Sequence, residues 1–308
     1  MEEVTSRRNP LAVHIRRLGS ERKYRRACGS FLCEGDKLVE EALRWGAEVE
    51  TLVCTRGSEP PAGLPEGTRL VQVPEELMES LSTVETPQRM LCVCRTPERT
   101  LPEPLPVGSY LVLDGLQDPG NVGTIWRTAD ALGAAGVFLL PGCAAPFSPK
   151  TVRATMGACF RLPAWETNLE ELCAGLGGAG IPLYATALQD DTADVRAVDL
   201  SRAAVIIGNE GRGVSAPALA RCERTLKIPM RPRCESLNAA AAAAVVLWEM
   251  ARTHESAPHL KRGRRFDVHA AILALARHPG RTAHRGGRGA GRTVRHARGG
   301  VLCRSGGI

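Results

Sequence analysis

The sequence predicts an α/β protein in which a mainly parallel sheet sandwiched by helices follows a smaller α/β unit. Three observations carry this. From Tyr110 onward, short continuous apolar runs alternate with helical patterns, and such runs are strands buried on both faces. Between Thr96 and Gly108 four prolines, Pro97, Pro102, Pro104 and Pro106, break the pattern and mark a linker. A chain of 308 residues also has room for two ordinary domains.

Taken in order, Met1 to Ser30 holds eight Lys or Arg against three Glu, which reads either as a solvated helix face or as a patch that neutralises phosphates. After Phe31-Leu-Cys-Glu-Gly35, Asp36 is read as the N-cap of a helix reaching Trp45, with Leu38, Val39, Ala42 and Leu43 on its apolar stripe. Val49–Cys54, Arg69–Val73 and Met90–Arg95 read as strands, and Pro74–Ser80 as a helix with Pro in its first turn. In the second half the strands are Tyr110–Leu113, Val137–Leu140, Pro182–Thr186, Ala204–Ile207 and Leu226–Ile228. The helices between and after them are Val122–Leu132, Pro149–Met156, Leu169–Leu176, Pro217–Cys222 and Leu237–Arg252. The division is therefore a first unit over 1–95, a linker over 96–107, a larger α/β domain over 108–254 and a basic Arg/Gly-rich tail over 255–308, expected to be disordered in isolation.

Charge and cysteines narrow the classes. The formal charge is +7, but the tail alone has 12 Lys or Arg against two acidic residues, so the part expected to fold is slightly acidic. Five of the seven histidines fall in the tail without ligand-like spacing, and the 11 cysteines contain no C-x-x-C pair. They read as reduced core thiols, with no metal site. No apolar stretch approaches the ~18 residues of a membrane span and no secretory signal opens the chain, so a cytoplasmic protein is expected.

Gly175-Leu-Gly-Gly-Ala-Gly180 satisfies G-x-G-x-x-G but follows a helix and leads into a strand, the reverse of a dinucleotide fingerprint. Three other segments carry chemistry. In Leu113-Asp-Gly-Leu-Gln-Asp-Pro-Gly-Asn-Val-Gly-Thr-Ile-Trp-Arg-Thr-Ala129 a buried strand ends in a polar turn and becomes a helix near Asn121, so Asn121, Thr124 and Arg127 can gather at a sheet's carboxyl edge. Val205-Ile-Ile-Gly-Asn-Glu-Gly-Arg-Gly-Val214 brings a glycine-rich loop to a strand end, where backbone groups can approach a ligand closely. Leu226-Lys-Ile-Pro-Met-Arg-Pro-Arg-Cys-Glu-Ser-Leu-Asn238 is a strand, a proline-constrained loop and a capped helix beginning near Ser236, whose alanine run permits close packing.

Together these resemble the SpoU (TrmH) branch of the SPOUT RNA methyltransferases, whose signatures look like N-x-G-x-x-x-R-T-A, G-N-E-G-x-G and I-P-M followed by S-L-N. All three occur in that order within Gly108 to Arg252. The first unit, through Phe31–Ala42 and Thr86-Pro-Gln-Arg-Met90, is similar to that family's L30e-like substrate-binding module. The resemblance implies a SPOUT-type parallel sheet with a C-terminal trefoil knot, a homodimer completing its sites across the interface, and S-adenosyl-L-methionine-dependent 2′-O-methylation of RNA ribose. It implies a cofactor pocket from Thr186, Gly208, Asn209, Gly211, Ile228, Met230 and Leu237, with Arg127, Asn121, Glu210, Ser236 and Asn238 as the catalytic set. Ribosomal RNA is favoured by the appended first unit, with transfer RNA as the alternative substrate, no DNA and no membrane partner. An RNA-binding assembly factor that has lost catalysis is the reading from another class. One departure is visible: Ala239-Ala240 stands where the family often has Val-Ser.

Overall fold

The structure is a computed structural model that describes residues 1–187, 192–231, 233 and 236–256. The tail beyond Ser256, including its expected disorder, lies outside the described residues. The first unit runs β1 (Glu2–Glu3), α1 (Pro10–Ser20), α2 (Arg22–Cys28), β2 (Ser30–Glu34), α3 (Asp36–Arg44), β3 (Val49–Thr55), β4 (Arg69–Val73), α4 (Glu75–Leu81) and β5 (Met90–Arg95). Its strands lie in the order β1-β4-β3-β5-β2, with β4 parallel to β1 and β3 and with β5 antiparallel to β3 and β2.

The basic opening is two helices. Asn9 caps α1 by accepting from the Leu11 N–H, Pro10 fills the first helical position, and Leu11, Ala12, Ile15 and Leu18 are buried. Helix α2 ends on Gly29 at φ 62°, a left-handed cap. Strand β2 is buried along its whole length, yet its ends are Ser30 and Glu34, so only Phe31–Cys33 reads as apolar and no strand is predicted there. Asp36 is not the cap of α3: Gly35, at φ 109°, holds that place and Asp36 falls in the first turn.

The larger unit runs β6 (Tyr110–Leu113), α5 (Pro119–Ala131), β7 (Gly136–Leu139), α6 (Pro149–Thr155), α7 (Ala158–Arg161), β8 (Ala164–Glu166), α8 (Leu169–Ala179), β9 (Leu183–Thr186), β10 (Ala193–Asp194), β11 (Ala204–Ile207), α9 (Ala216–Leu219), β12 (Arg224–Lys227) and α10 (Ala239–Ser256). The described strands order β10-β12-β9-β11-β6-β7-β8, and every adjacent pair is parallel. Leu111, Leu113, Val137, Leu139, Val205 and Ile207 pack with residues of α5, α6 and α10, while Tyr110, Val112, Phe138, Leu140, Ala204 and Ile206 pack with residues of α8 and α9. Both faces are therefore buried, which is why these strands read as unbroken apolar runs. The Gly175–Gly180 glycines close α8, with Gly180 as its left-handed cap, so they form no phosphate loop.

Helix α5 is held in place by Trp126, fully buried with its ring N–H donating to the Leu162 carbonyl at 3.1 Å, and by direct contact with α6. A Cβ on Gly123 would lie 2.4 Å from the Thr151 carbonyl oxygen and 2.5 Å from the Ala154 Cβ, so only glycine lets the two helices meet at this distance.

The two units share one core. Phe31 of β2 packs against Phe147 and Phe160, with ring centroids 4.7 and 6.3 Å away. Around this contact, Arg153 donates to the Thr83 hydroxyl at 2.6 Å, and Arg161 donates to Asp130 at 2.8 Å and pairs with Glu41. In the proline-rich stretch Arg99 donates to the Cys159 and Leu162 carbonyls, so that segment is laid against the larger unit. Cys33, Cys92 and Cys94 also face this shared core, with sulfur separations of 3.9 Å (Cys33 to Cys94) and 3.6 Å (Cys92 to Cys94). Burial pushes the Cys33 thiol well up.

Candidate functional site

β6, β9, β11 and β12 are parallel neighbours, so the loops that follow them emerge at one edge of the sheet. There the ends of β9, β11 and β12 and the loops that follow them line a cavity of about 530 Å³ together with the start of α10. Thr186, Gly208, Asn209, Gly211, Ile228, Met230 and Leu237 all line it, as do Glu210 and Ser236. Nine residues from three stretches, the end of β9, the loop after β11 and the β12–α10 connection, thus meet in one place.

The loop after β11 is a tight hairpin. Asn209 and Gly213 exchange backbone hydrogen bonds of 2.9 Å each, and the Asn209 side-chain carbonyl accepts from the Gly211 and Arg212 N–H groups at 3.0 and 3.1 Å. The Asn209 amide nitrogen donates to the Gly115 carbonyl at 2.8 Å, which ties this hairpin to the turn after β6. The two limbs cross so closely that a Cβ on Gly208 would lie 2.2 Å from the Gly213 carbonyl carbon and from the Val214 nitrogen. The cavity wall at this point is therefore bare backbone, with donors and acceptors available to a ligand.

Beside the cavity, the Asn121 side-chain amide donates to Glu210 at 3.0 Å, and the Asn238 amide donates to the Asn121 side-chain carbonyl at 3.3 Å. Asn238 is also the cap of α10, its side-chain oxygen accepting from the Ala240 N–H at 2.9 Å, so the helix starts at Ala239 and not near Ser236. One Asn thus bridges the hairpin carboxylate to the start of the last helix. Arg127 stands apart: it is exposed on α5 and makes no hydrogen bond or ion pair among the described residues. Thr124 is exposed as well, on the same helix as Asn121 and Arg127.

Two supporting residues escaped the sequence reading. Asp118 caps α5 by accepting from the Asn121 N–H at 2.8 Å, and pairs with Lys150 at 3.2 Å; helix α5 consequently starts at Pro119, earlier than expected. That N–H, followed by Lys150, holds the Asp118 carboxyl below the usual carboxylate range. The signal was Asp followed by Pro, a cap and first-position pair. Asp114, buried at the end of β6, accepts from the Ser215 N–H at 2.7 Å and fixes the far end of the hairpin, a long-range contact no local pattern announces.

The chain is similar to known proteins over most of its length. Residues 108–248 match the SpoU rRNA Methylase family and residues 9–92 the MRM3-like substrate binding domain. The 23S rRNA (guanosine(2553)-2′-O)-methyltransferase RlmP of Bacillus subtilis (strain 168) is 34% identical over 250 residues, covering 81% of this chain and 99% of that protein. An AdoMet-bound rRNA methyltransferase from Sinorhizobium meliloti superposes with a TM-score of 0.72 at 34% identity, over 82% of this chain and 97% of that one. The SpoU methyltransferase AviRb of Streptomyces viridochromogenes, in complex with AdoMet, superposes at 0.73 with 30% identity, over 81% and 99%. The chain belongs to the SpoU rRNA methylase family, its methylase domain preceded by an MRM3-like substrate binding domain.

Proposed function

We propose that the chain transfers a methyl group from S-adenosyl-L-methionine to a ribose 2′-hydroxyl of ribosomal RNA. The observation that carries the site assignment is the convergence of nine residues from three stretches of chain on one cavity, with the Asn121–Glu210–Asn238 chain of hydrogen bonds beside it. The lining fits the cofactor. It has the volume for a nucleoside with an amino-acid arm, the bare backbone at Gly208 and Gly211 offers hydrogen bonds to polar edges, and Ile228, Met230 and Leu237 offer apolar surface to an adenine.

When bound, S-adenosyl-L-methionine supplies an electrophilic methyl group. The residues beside it position the acceptor, and good alignment alone can remove roughly 7 to 11 kcal/mol of barrier. Glu210 and Asn238 fix Asn121, which leaves its orientation little freedom, while Ser236 offers a hydroxyl at the cavity wall. Arg127 orients and polarises the ribose hydroxyl through its planar fork, and an RNA phosphate or water takes the proton, because a guanidinium is a poor base.

The resemblance further implies a homodimer. Exposure of Arg127 on α5 and of Trp248, 61% exposed on α10, supports it, since a partner subunit would cover apolar surface and bring a second chain to the free arginine. The trefoil crossing of the C-terminal segment, the division into a substrate-binding unit over 1–95, linker, methyltransferase domain over 108–254 and tail, and a cytoplasmic location belong to the same reading. Among the described residues no helix is long and apolar enough to cross a membrane. Methyl incorporation into purified, unmodified rRNA and tRNA tests the substrate class: labelling confined to rRNA is expected, and equal labelling of both overturns the preference.

A further inference from the structure

A second, smaller cavity of about 180 Å³ lies where α2 of the first unit meets the larger one. Arg22, Arg25 and Arg26 line it from α2, Phe147 from the segment after β7, and Glu166 from the end of β8. β7 and β8 run parallel to β6, so Phe147 and Glu166 sit on the sheet edge from which the candidate active-site loops emerge. β8 is two strands from β6, roughly 10 Å at the usual strand spacing, which a single RNA strand spans in a few nucleotides.

The charge in this cavity is unbalanced. Arg22 and Arg26 donate to the same Glu166 oxygen, at 3.0 and 2.9 Å, and Arg25, buried, spends one donor on the Leu18 carbonyl at 2.7 Å. Three arginines thus line the cavity with a single acidic residue, Glu166, among the described residues. Burial, and after it the charge of Arg22, pulls the Arg25 pKa down. The space admits a phosphodiester group and is too small for a second cofactor.

We infer that the Arg22–Arg25–Arg26 cavity binds a backbone phosphate of the substrate RNA a few nucleotides from the methylated ribose. The inference rests on the RNA methyltransferase reading and gives the basic helix α2 a defined role, gripping the strand while the cavity under the β11 loop does the chemistry. Recognition here is by charge and carries no base specificity.

The test compares Arg22→Gln/Arg26→Gln with Glu166→Gln, using filter binding of unmodified 23S rRNA transcript across a salt series without cofactor. Loss of one phosphate contact should weaken binding about tenfold and flatten the log–log salt slope by roughly 0.7. Glu166→Gln removes both ion pairs but keeps both cations, so it should bind as tightly as wild type or more tightly. If Glu166→Gln weakens binding as much as the double variant, the arginines are inter-unit staples and the inference falls; an unchanged salt slope in the double variant overturns it equally. S-adenosyl-L-methionine affinity and melting temperature establish that each variant is folded. Because binding is read without turnover, a wild-type protein that binds RNA yet transfers no methyl group would refute the proposed reaction and leave this result standing.

Discussion

Adding one methyl group at Gly208 probes the cofactor assignment with little else disturbed. In Gly208→Ala the new Cβ would sit 2.2 Å from the Gly213 carbonyl carbon and the Val214 nitrogen and 2.5 Å from the Gly213 oxygen, where ordinary contact begins at 3.4 Å. All three atoms are backbone, so no side chain can swing away and the returning limb must retreat by roughly 1 Å. That movement breaks the paired Asn209–Gly213 hydrogen bonds, each 2.9 Å long. At about 1 kcal/mol net per bond the hairpin loses about 2 kcal/mol of preorganisation, on the order of thirtyfold in cofactor affinity. Calorimetric titration with S-adenosyl-L-methionine measures it, with thermal melting to show that the fold persists. A dissociation constant within twofold of wild type in a folded variant would refute the assignment of this hairpin to the cofactor.

Three further outcomes follow from named contacts. Arg127→Ala and Arg127→Lys should each lower methyl transfer by at least about a hundredfold while cofactor binding stays intact, because an ammonium cannot reproduce the guanidinium fork; with Arg127 exposed, melting should shift little. The Asp118 pKa is lowered in the fold, so its contribution to capping α5 is complete above about pH 4 and fades as pH falls through the folded value. Asp118→Asn should keep the cap and lose that acid sensitivity, seen as a smaller drop in melting temperature between pH 6 and pH 3. Burial raises the Cys54, Cys143 and Cys159 pKa values to about 11, so at pH 8 these thiols should resist a thiol reagent in the native protein and react on unfolding; rapid native labelling would contradict the packing.

The parallel half was the more legible in sequence, because strands covered on both faces leave unbroken apolar runs: Tyr110–Leu113 and Ala204–Ile207 begin and end where expected. β12 starts earlier than its apolar core suggests, since the polar Arg224 and Thr225 also pair with β9. β8 and β10 are three and two residues long, too short for a period to register. In the first unit β2 hid because Glu34, a buried carboxylate, is satisfied by the Thr83 N–H and hydroxyl at 2.9 and 2.7 Å, partners 49 positions away. The site divides the same way. Gly208, Asn209 and Ile228 could be read from motifs that sit at strand ends, whereas the Asn121–Glu210 bond spans 89 positions and Asp114–Ser215 spans 101. Arg127 could be named from its motif, whereas no hydrogen bond or ion pair among the described residues marks it out.

The most direct test of the central claim is to incubate the protein with tritiated S-adenosyl-L-methionine and unmodified ribosomal RNA, then hydrolyse the RNA in alkali. A 2′-O-methyl group blocks attack of the 2′-oxygen on its own phosphodiester, so the account predicts tritium in an alkali-resistant dinucleotide. Tritium recovered only in mononucleotides would place the methyl group on a base and contradict ribose methylation at this site.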